Sequence, residues 1–272
     1  LPSLLAQCEA LCRAIPDPEP VRSVHHLACS GGTLISKCIA ALPNTVLLSE
    51  IDPLSTLGRA KINGRPLFSP TDLIQALTNA SRPVDDGVRR AVFEAGVARA
   101  HDELGRRGQR LVLRDHAHSQ FCTTVDAGSR PTLHDMLAAR LPVRGAVTVR
   151  HPLDAFQSLR RAGWVHFTPD TLAEYSARTA AFLDRHAALP LLRYEDFTAD
   201  PEAGLARLCD WLALPFEPIA LELIDAIRLT GDSGRSSAVI GTRSRRPVPE
   251  DLEAGRTAPA YVGLCERLGY DP

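Results

Sequence analysis

Val24-His25-His26-Leu27-Ala28-Cys29-Ser30-Gly31-Gly32-Thr33-Leu34-Ile35-Ser36-Lys37-Cys38-Ile39-Ala40-Ala41-Leu42 decides how the rest of the chain reads. It predicts a short strand, a tight Ser-Gly-Gly-Thr turn, and a helix whose apolar residues at 34, 35, 38, 39 and 42 share one face. That order points the turn's backbone N–H groups and the positive helix end at a single spot, which makes an anion site. Glycines at 31 and 32 let the backbone come close to phosphate oxygens, and Thr33 adds a hydroxyl at the helix start. The pattern G-x-x-x-x-G-K-[ST] is absent, since Gly32 and not a lysine precedes Thr33. The same residues also fit an ordinary β–turn–α connection.

Outward from this stretch, strands are expected at about 22–28, Thr45–Leu48, Gln109–Leu113, Gly145–Val149 and Pro190–Tyr194. Between them fall helical segments at 2–14, 72–80, 85–106, 132–139, from Pro152 onward, 170–187 and 201–213. Asp200-Pro201 is a cap followed by proline at the first helical position. Further helices are expected over 218–229 and 259–268, with loops at 55–70 and 231–249. Strands alternating with helices give an α/β fold, three layers with a central, mostly parallel five-stranded sheet. The first helix is stopped by a Pro16-Asp17-Pro18-Glu19-Pro20 linker, but no internal repeat or domain break divides residues 1–272, so a single domain is expected, with a helical substrate-side region at about 50–106.

Composition narrows the function. The 272 residues are 44% hydrophobic and 23% charged with a formal net charge of −1, which argues against a general nucleic-acid binder. Lys37 and Lys61 are the only lysines, so Lys37 in the helix after the turn stands out. The seven cysteines, at 8, 12, 29, 38, 122, 209 and 265, form no CxxC pair or zinc-type Cys/His spacing, so no metal site is expected. No apolar run reaches the length of a membrane span and no charged-then-apolar leader is seen, which makes the expected location cytoplasmic.

Chemistry-bearing residues gather at the carboxyl ends of the expected strands, where open α/β sheets bind ligands. Ser49-Glu50-Ile51-Asp52 follows the second strand and Arg114-Asp115-His116-Ala117-His118 the third. After the fourth, Arg150 and Ser158 lie eight residues apart, so a forked guanidinium and a hydroxyl two helical turns on can hold one phosphate. An Arg150 capped by Asp154 and a solvent-facing Ser158 fit the same spacing. Leu192-Arg193-Tyr194-Glu195-Asp196-Phe197 follows the fifth strand, and the late loop Gly231–Ser237 carries Arg235.

Taken together, these segments resemble the nucleotide-activated sulfotransferases, which have a P-loop NTPase-like fold. Ala28–Thr33, with Cys29, Ser30, Gly31, Gly32 and Thr33, is similar to that family's 5'-phosphosulfate loop, P-K-x-G-T-T. Arg150, Pro152, Asp154 and Ser158 match its 3'-phosphate motif R-x-P-x-D-x-x-x-S. Tyr194-Glu195-Asp196-Phe197 with Asp200-Pro201 matches its Y-E-D-[LF]…D-P segment, and Gly231–Ser237 resembles the loop that closes over the 3'-phosphate. The resemblance spans about residues 24–237. It implies transfer of a sulfuryl group from 3'-phosphoadenosine 5'-phosphosulfate to a hydroxyl of a small-molecule acceptor, without a metal, leaving adenosine 3',5'-bisphosphate. The implied donor site comprises the turn residues 29–33, Arg150, Ser158, Tyr194 and Arg235.

The turn also departs from the family pattern. Cys29 stands where the loop lysine is usual, and Gly32 replaces the first threonine. Lys37, four residues after Thr33, is the nearest replacement cation, and a solvent-facing lysine fits the spacing equally well. On the acceptor side His116 is the first choice of general base, as the family's catalytic histidine sits at this strand end; His118, His25, His26, Asp115 and Glu50 compete. Residues 50–106 and 160–170, with Trp164, His166 and Phe167, are expected around the acceptor. Two other readings stand beside this one: an ATP- or GTP-dependent phosphotransferase with Asp115 on Mg²⁺, and a nucleotide binder without catalysis. A homodimer is compatible with the sequence.

Overall fold

Parallel strands carry the architecture, and their order places the glycine turn at the centre of one sheet edge. The computed structural model describes residues 3–13, 18–57, 61–62, 65–66, 69–230, 240–242 and 244–272. Five strands pair side by side: β1 (Val21–His25), β2 (Thr45–Ile51), β5 (Arg110–Asp115), β6 (Val143–Val149) and β7 (Leu191–Arg193). Their order is β2-β5-β1-β6-β7 and every pairing is parallel. Two-residue strands β3 (Lys61–Ile62) and β4 (Arg65–Pro66) form a separate antiparallel pair where the sequence reads as loop. The chain leaves β1 toward β2 on one side and later adds β6 on the other, so β1 sits at the switch in strand order, where ligands bind in open sheets.

Helices run between the strands: α1 (Leu4–Arg13), α2 (Gly32–Ala40), α3 (Leu73–Thr78), α4 (Asp86–Gly105), α5 (His118–Phe121), α6 (Leu133–Ala138), α7 (Pro152–Arg161), α8 (Leu172–Arg185), α9 (Tyr194–Ala199), α10 (Pro201–Leu212), α11 (Glu250–Ala254) and α12 (Pro259–Leu268). Their starts follow local chemistry. Asp72, Asp85, Thr132, Thr171 and Asp200 each accept a backbone N–H three residues on, and Pro152, Pro201 and Pro259 take the first helical position.

Strand alternation sends side chains to two helical layers. On one face Val24, Val112 and Ala146 pack against Leu34, Ile35, Cys38 and Ile39 of α2 and Leu205, Leu208 and Leu212 of α10. On the other, Val147 and Val149 meet Leu153, Phe156 and Leu159 of α7, Phe182 of α8 and Leu264 of α12. Leu111 and Leu113 join Val97 of α4 and Leu133 and Leu137 of α6. Burial on both faces explains the near-continuous apolar runs of these strands, and each such fully buried leucine contributes about 1.5–3 kcal/mol. Arg22 lies wholly buried in β1, donates to the carbonyls of Pro20, Leu212 and Ala213, and pairs with Glu19 at 2.6 Å, so its charge is met by that carboxylate and by the end of α10.

The expected five-strand parallel sheet with flanking helices is the observed fold. Three local expectations change. Residues 218–229 hold only a short 3-10 turn at Pro218–Leu221, because only Ala220 and Ile224 are buried in the core, with Leu221 packed at its edge. Tyr194 does not end the fifth strand but starts α9. Four-residue α5 and five-residue α11 carry too few turns to leave a periodic signal.

Candidate active site

Beyond β1 the backbone turns sharply. Cys29 and Gly31 both take left-handed conformations, with φ of 64° and 87°. Gly31 precedes α2 directly, and Ser30 locks the turn by donating its hydroxyl to the Leu27 carbonyl at 2.7 Å. Both glycines are required sterically. A Cβ on Gly31 would lie 2.1 Å from the Tyr194 ring, and one on Gly32 2.0 Å from the His26 imidazole. The turn is therefore wedged between two aromatic rings, with the N-terminus of the nine-residue helix α2 behind it.

A cavity of about 840 Å³ opens over this turn. Cys29, Gly31, Gly32 and Thr33 line its base; Arg150, Ser158, Tyr194 and Arg246 line one side. Glu50, Arg114, His116 and His118 line another, and Leu57, Trp164 and His166 a third. Of the sequence-derived candidates, the structure thus brings Cys29, Gly31, Gly32, Thr33, Arg150, Ser158, Tyr194 and His116 onto one cavity. Ser30 lies within the same turn with its hydroxyl turned to the backbone. Lys37 is buried in α2 and is not among the lining residues, so neither a solvent-facing position nor a place on the cavity wall describes it. Arg235 lies outside the described residues.

Arg150 bridges the two halves of this wall. Its Nη1 donates to the Cys29 carbonyl at 3.3 Å and to the Ser158 hydroxyl at 3.4 Å, while its guanidinium lies 5.5 Å from the centre of the Tyr194 ring. Ser158 in turn donates to the Asp154 carbonyl, and the Asp154 carboxylate pairs with Arg245 rather than with Arg150. The Tyr-Glu-Asp run has a mechanical role. Tyr194 packs on Gly31, and Glu195 accepts from the His151 backbone N–H at 3.0 Å and from the Tyr270 hydroxyl at 2.6 Å. Asp196 pairs with Arg193 through both carboxylate oxygens. The end of β6, the start of α9 and the C-terminal residues are tied into one frame around Arg150.

Sequence reasoning missed Arg114 as more than a neighbour of His116. Its buried guanidinium donates to His26 Nε2, Ser49 Oγ and Thr33 Oγ1, each at 3.0 Å, and to the Thr230 carbonyl at 3.3 Å, and it pairs with Glu50 at 2.6 Å. The available signal was position: Arg114-Asp115-His116 leaves the carboxyl end of β5, and all three residues line the cavity. Glu50 reaches the cavity through an irregularity: β2 shifts register between Leu48 and Ile51, and Glu50 takes a left-handed φ of 59°. Its carboxylate lies 3.7 Å from His116 Nε2, and burial raises its pKa above the ordinary carboxylate value despite the Arg114 charge. His116 Nδ1 lies 3.4 Å from the Ser55 hydroxyl.

The rival bases His26, Asp115 and His118 line the same cavity but are engaged by other partners. His118 Nε2 contacts the Trp164 carbonyl at 3.1 Å, and burial lowers its pKa to about 4. His26 accepts from Arg114, and burial holds it neutral, well below the usual imidazole range. His25 lies inside the sheet, bonded to Asp115 at 2.7 Å and Ser23 at 2.8 Å, with its pKa pushed down to about 3 by burial. Burial pushes Asp115 up to about 7. Of residues 50–106, Glu50 and Leu57 line the cavity; Trp164 and His166 do so as expected, whereas Phe167 stacks in the core on Phe156 and Tyr175.

No protein-family model matches the sequence, and no curated protein is similar to it. Solved structures are. The sulfotransferase domain from the curacin biosynthetic pathway superposes with a TM-score of 0.53 at 18% identity, covering 93% of this chain and 98% of that domain. The sulfotransferase domain from the Synechococcus PCC 7002 olefin synthase gives 0.53 at 19% identity, covering 94% and 98%. No helix among the described residues is long and apolar enough to cross a membrane. Over nearly its full length, the chain has the fold of the bacterial sulfotransferase domains.

Proposed function

We propose that this protein is a sulfotransferase that moves a sulfuryl group from 3'-phosphoadenosine 5'-phosphosulfate to a hydroxyl of a small-molecule acceptor. The carrying observation is the pairing of two anion-holding sets on one cavity: the Gly31–Gly32–Thr33 turn at the start of α2, and Arg150 with Ser158. A donor with a 5'-phosphosulfate and a separate 3'-phosphate uses both; a nucleoside triphosphate uses one. Gly31 and Gly32 let the Tyr194 and His26 rings pack directly on the turn, which fixes its backbone at the cavity.

In this reading the turn's N–H groups and the positive end of α2 hold the 5' group, and Arg150 and Ser158 hold the 3'-phosphate. His116 accepts the acceptor's proton as its oxygen bonds to sulfur. The sulfur–oxygen bond to the phosphate breaks, and its electron pair leaves with adenosine 3',5'-bisphosphate. Glu50 sets the field around His116, and Arg114 supplies the fixed positive charge beneath the turn that Cys29 cannot. Magnesium-nucleotide chemistry finds less support, since the turn lacks the lysine of a nucleoside-triphosphate loop and a triphosphate has no use for the second anion set at Arg150 and Ser158.

Thermal shift tests the donor: adenosine 3',5'-bisphosphate should raise Tm by several degrees and ATP–Mg²⁺ should not, and the reverse would overturn the reading. An acceptor screen with ³⁵S-labelled donor tests transfer, with His116→Ala expected to lower turnover about 10²–10⁴-fold while still binding the bisphosphate.

A further inference from the structure

Behind the cavity wall, the chain gathers a second set of chemically capable groups. β1 and β5 pair in parallel with Val24 opposite Arg114, so the next residues, His25 and Asp115, end the two strands side by side. His26, Arg114 and Asp115 line the cavity, whereas His25 and His186, at the C-terminal end of α8, lie behind it and meet the Asp115 side there. All three are buried, and one ligand atom from each lies within 4.8 Å of the other two. His25 Nδ1 and Asp115 Oδ2 are 2.7 Å apart, and the His25 and His186 ring centres 4.6 Å apart.

The outer contacts of each imidazole are already made. His186 Nδ1 donates to the Phe182 carbonyl at 2.8 Å, which fixes the tautomer and leaves Nε2 with its lone pair; that Nε2 is buried without a hydrogen-bond partner. His25 uses Nε2 on the Ser23 hydroxyl at 2.8 Å, leaving Nδ1 for Asp115. One ring nitrogen tied to a backbone carbonyl or hydroxyl and the other turned inward is how metal-ligating histidines are oriented. An orphaned, buried imidazole nitrogen otherwise carries an uncompensated desolvation cost, and a bound cation removes it. His134 adds a further imidazole 5.8 Å from His25, and its Nδ1 is likewise buried without a partner.

We propose that His25, Asp115 and His186 form a binding site for one divalent transition-metal ion, with Zn²⁺ the best match to two imidazoles and a carboxylate. Zinc bonds to such ligands are about 2.0–2.2 Å, so tetrahedral ligand atoms stand roughly 3.4 Å apart. The observed separations bracket that value, and side-chain shifts of about 1 Å close the site. On binding, the proton held between His25 Nδ1 and Asp115 Oδ2 leaves to solvent, and each atom donates a pair to the ion. His134 or a water takes the fourth position. The ligands come from β1, β5 and α8, 90 and 71 positions apart, which is why no spacing in the sequence discloses them. The ion acts as a clip: it ties two strand ends to α8 next to His26 and Arg114 and stiffens the cavity wall to which Asp115 belongs.

The test uses the full chain without a histidine tag, stripped with chelator, loaded with ZnCl₂ and passed over a desalting column. One equivalent of zinc per chain is expected, with a rise in Tm of several degrees. Co²⁺ in its place should give the visible absorption of a tetrahedral nitrogen–oxygen site. His186→Gln and Asp115→Asn should each weaken zinc binding at least about tenfold and cancel the Tm rise, whereas His101→Gln, a buried histidine on α4, should retain both. Zinc far below one equivalent, equal retention by His186→Gln, or thiolate bands in the Co²⁺ spectrum would overturn the proposal. His186→Gln leaves the strand ends intact, so a folded variant is available even if Asp115→Asn fails. None of these readouts depends on sulfuryl transfer.

Discussion

Gly31→Ala is the sharpest probe of the anion cradle, because one methyl group meets two independent obstacles. The backbone there has φ of 87°, which costs an L-residue about 1–2 kcal/mol. The new Cβ would also stand 2.1 Å from Tyr194 Cδ2, and Tyr194 cannot swing freely, being packed on the Arg150 guanidinium at the start of α9. Overpacking of this kind costs about 1–3 kcal/mol, so a loss of about 2–5 kcal/mol in unfolding free energy is expected. The two contributions separate in a double-mutant cycle. Tyr194→Ala opens space for the methyl but leaves the φ penalty, so Gly31→Ala should cost only about 1–2 kcal/mol in the Tyr194→Ala background. Urea denaturation of the four proteins measures this directly, and titration with adenosine 3',5'-bisphosphate reports the cradle itself. A Gly31→Ala protein with wild-type stability and bisphosphate affinity, or costs that add without coupling, would refute the steric argument.

Other perturbations follow from the same geometry. Arg150→Ala removes the guanidinium shared by Cys29 and Ser158 and should weaken bisphosphate binding by about 2–3 kcal/mol in calorimetry, with adenosine 5'-phosphate scarcely affected. Tyr270→Phe deletes the hydroxyl that Glu195 accepts and should cost about 1–3 kcal/mol of stability, measured by denaturant midpoint. Metal-free protein should lose stability as pH falls from 7 to 5. Burial depresses His25 to about 3 and His118 and His186 to about 4, so unfolding takes up protons across this window. Each contributes about 2 kcal/mol of the loss, and Asp115, raised to about 7, opposes it by a similar amount, leaving about 4 kcal/mol net. A flat Tm between pH 5 and pH 7 would show these histidines to be charged or exposed.

What the sequence disclosed was whatever depends on neighbours in the chain. Leu111-Val112-Leu113 and Ala146-Val147 read as strands because both faces are buried, and Asp200-Pro201 announces α10 because capping is local. The glycine turn and the eight-residue step from Arg150 to Ser158 were legible for the same reason. Arg114 was not, since its partners lie at 26, 33, 49, 50 and 230 and meet only when β2, β5 and α2 assemble. The burial of Lys37 was not legible, because helical spacing fixes a face but not what covers it. Residues 218–229 misled in the opposite sense, carrying apolar residues at helical intervals with little core to receive them.

The left-handed kink at Glu50 has a consequence away from chemistry. β2 is an outer strand, and a straight outer strand offers its free N–H and C=O groups as a template for another chain. By breaking register between Leu48 and Ile51, the kink spoils that template over the last residues of the strand. The irregularity that turns a carboxylate inward is thus also a guard against self-association, and a substitution that flattened it would expose the protein to edge-to-edge aggregation.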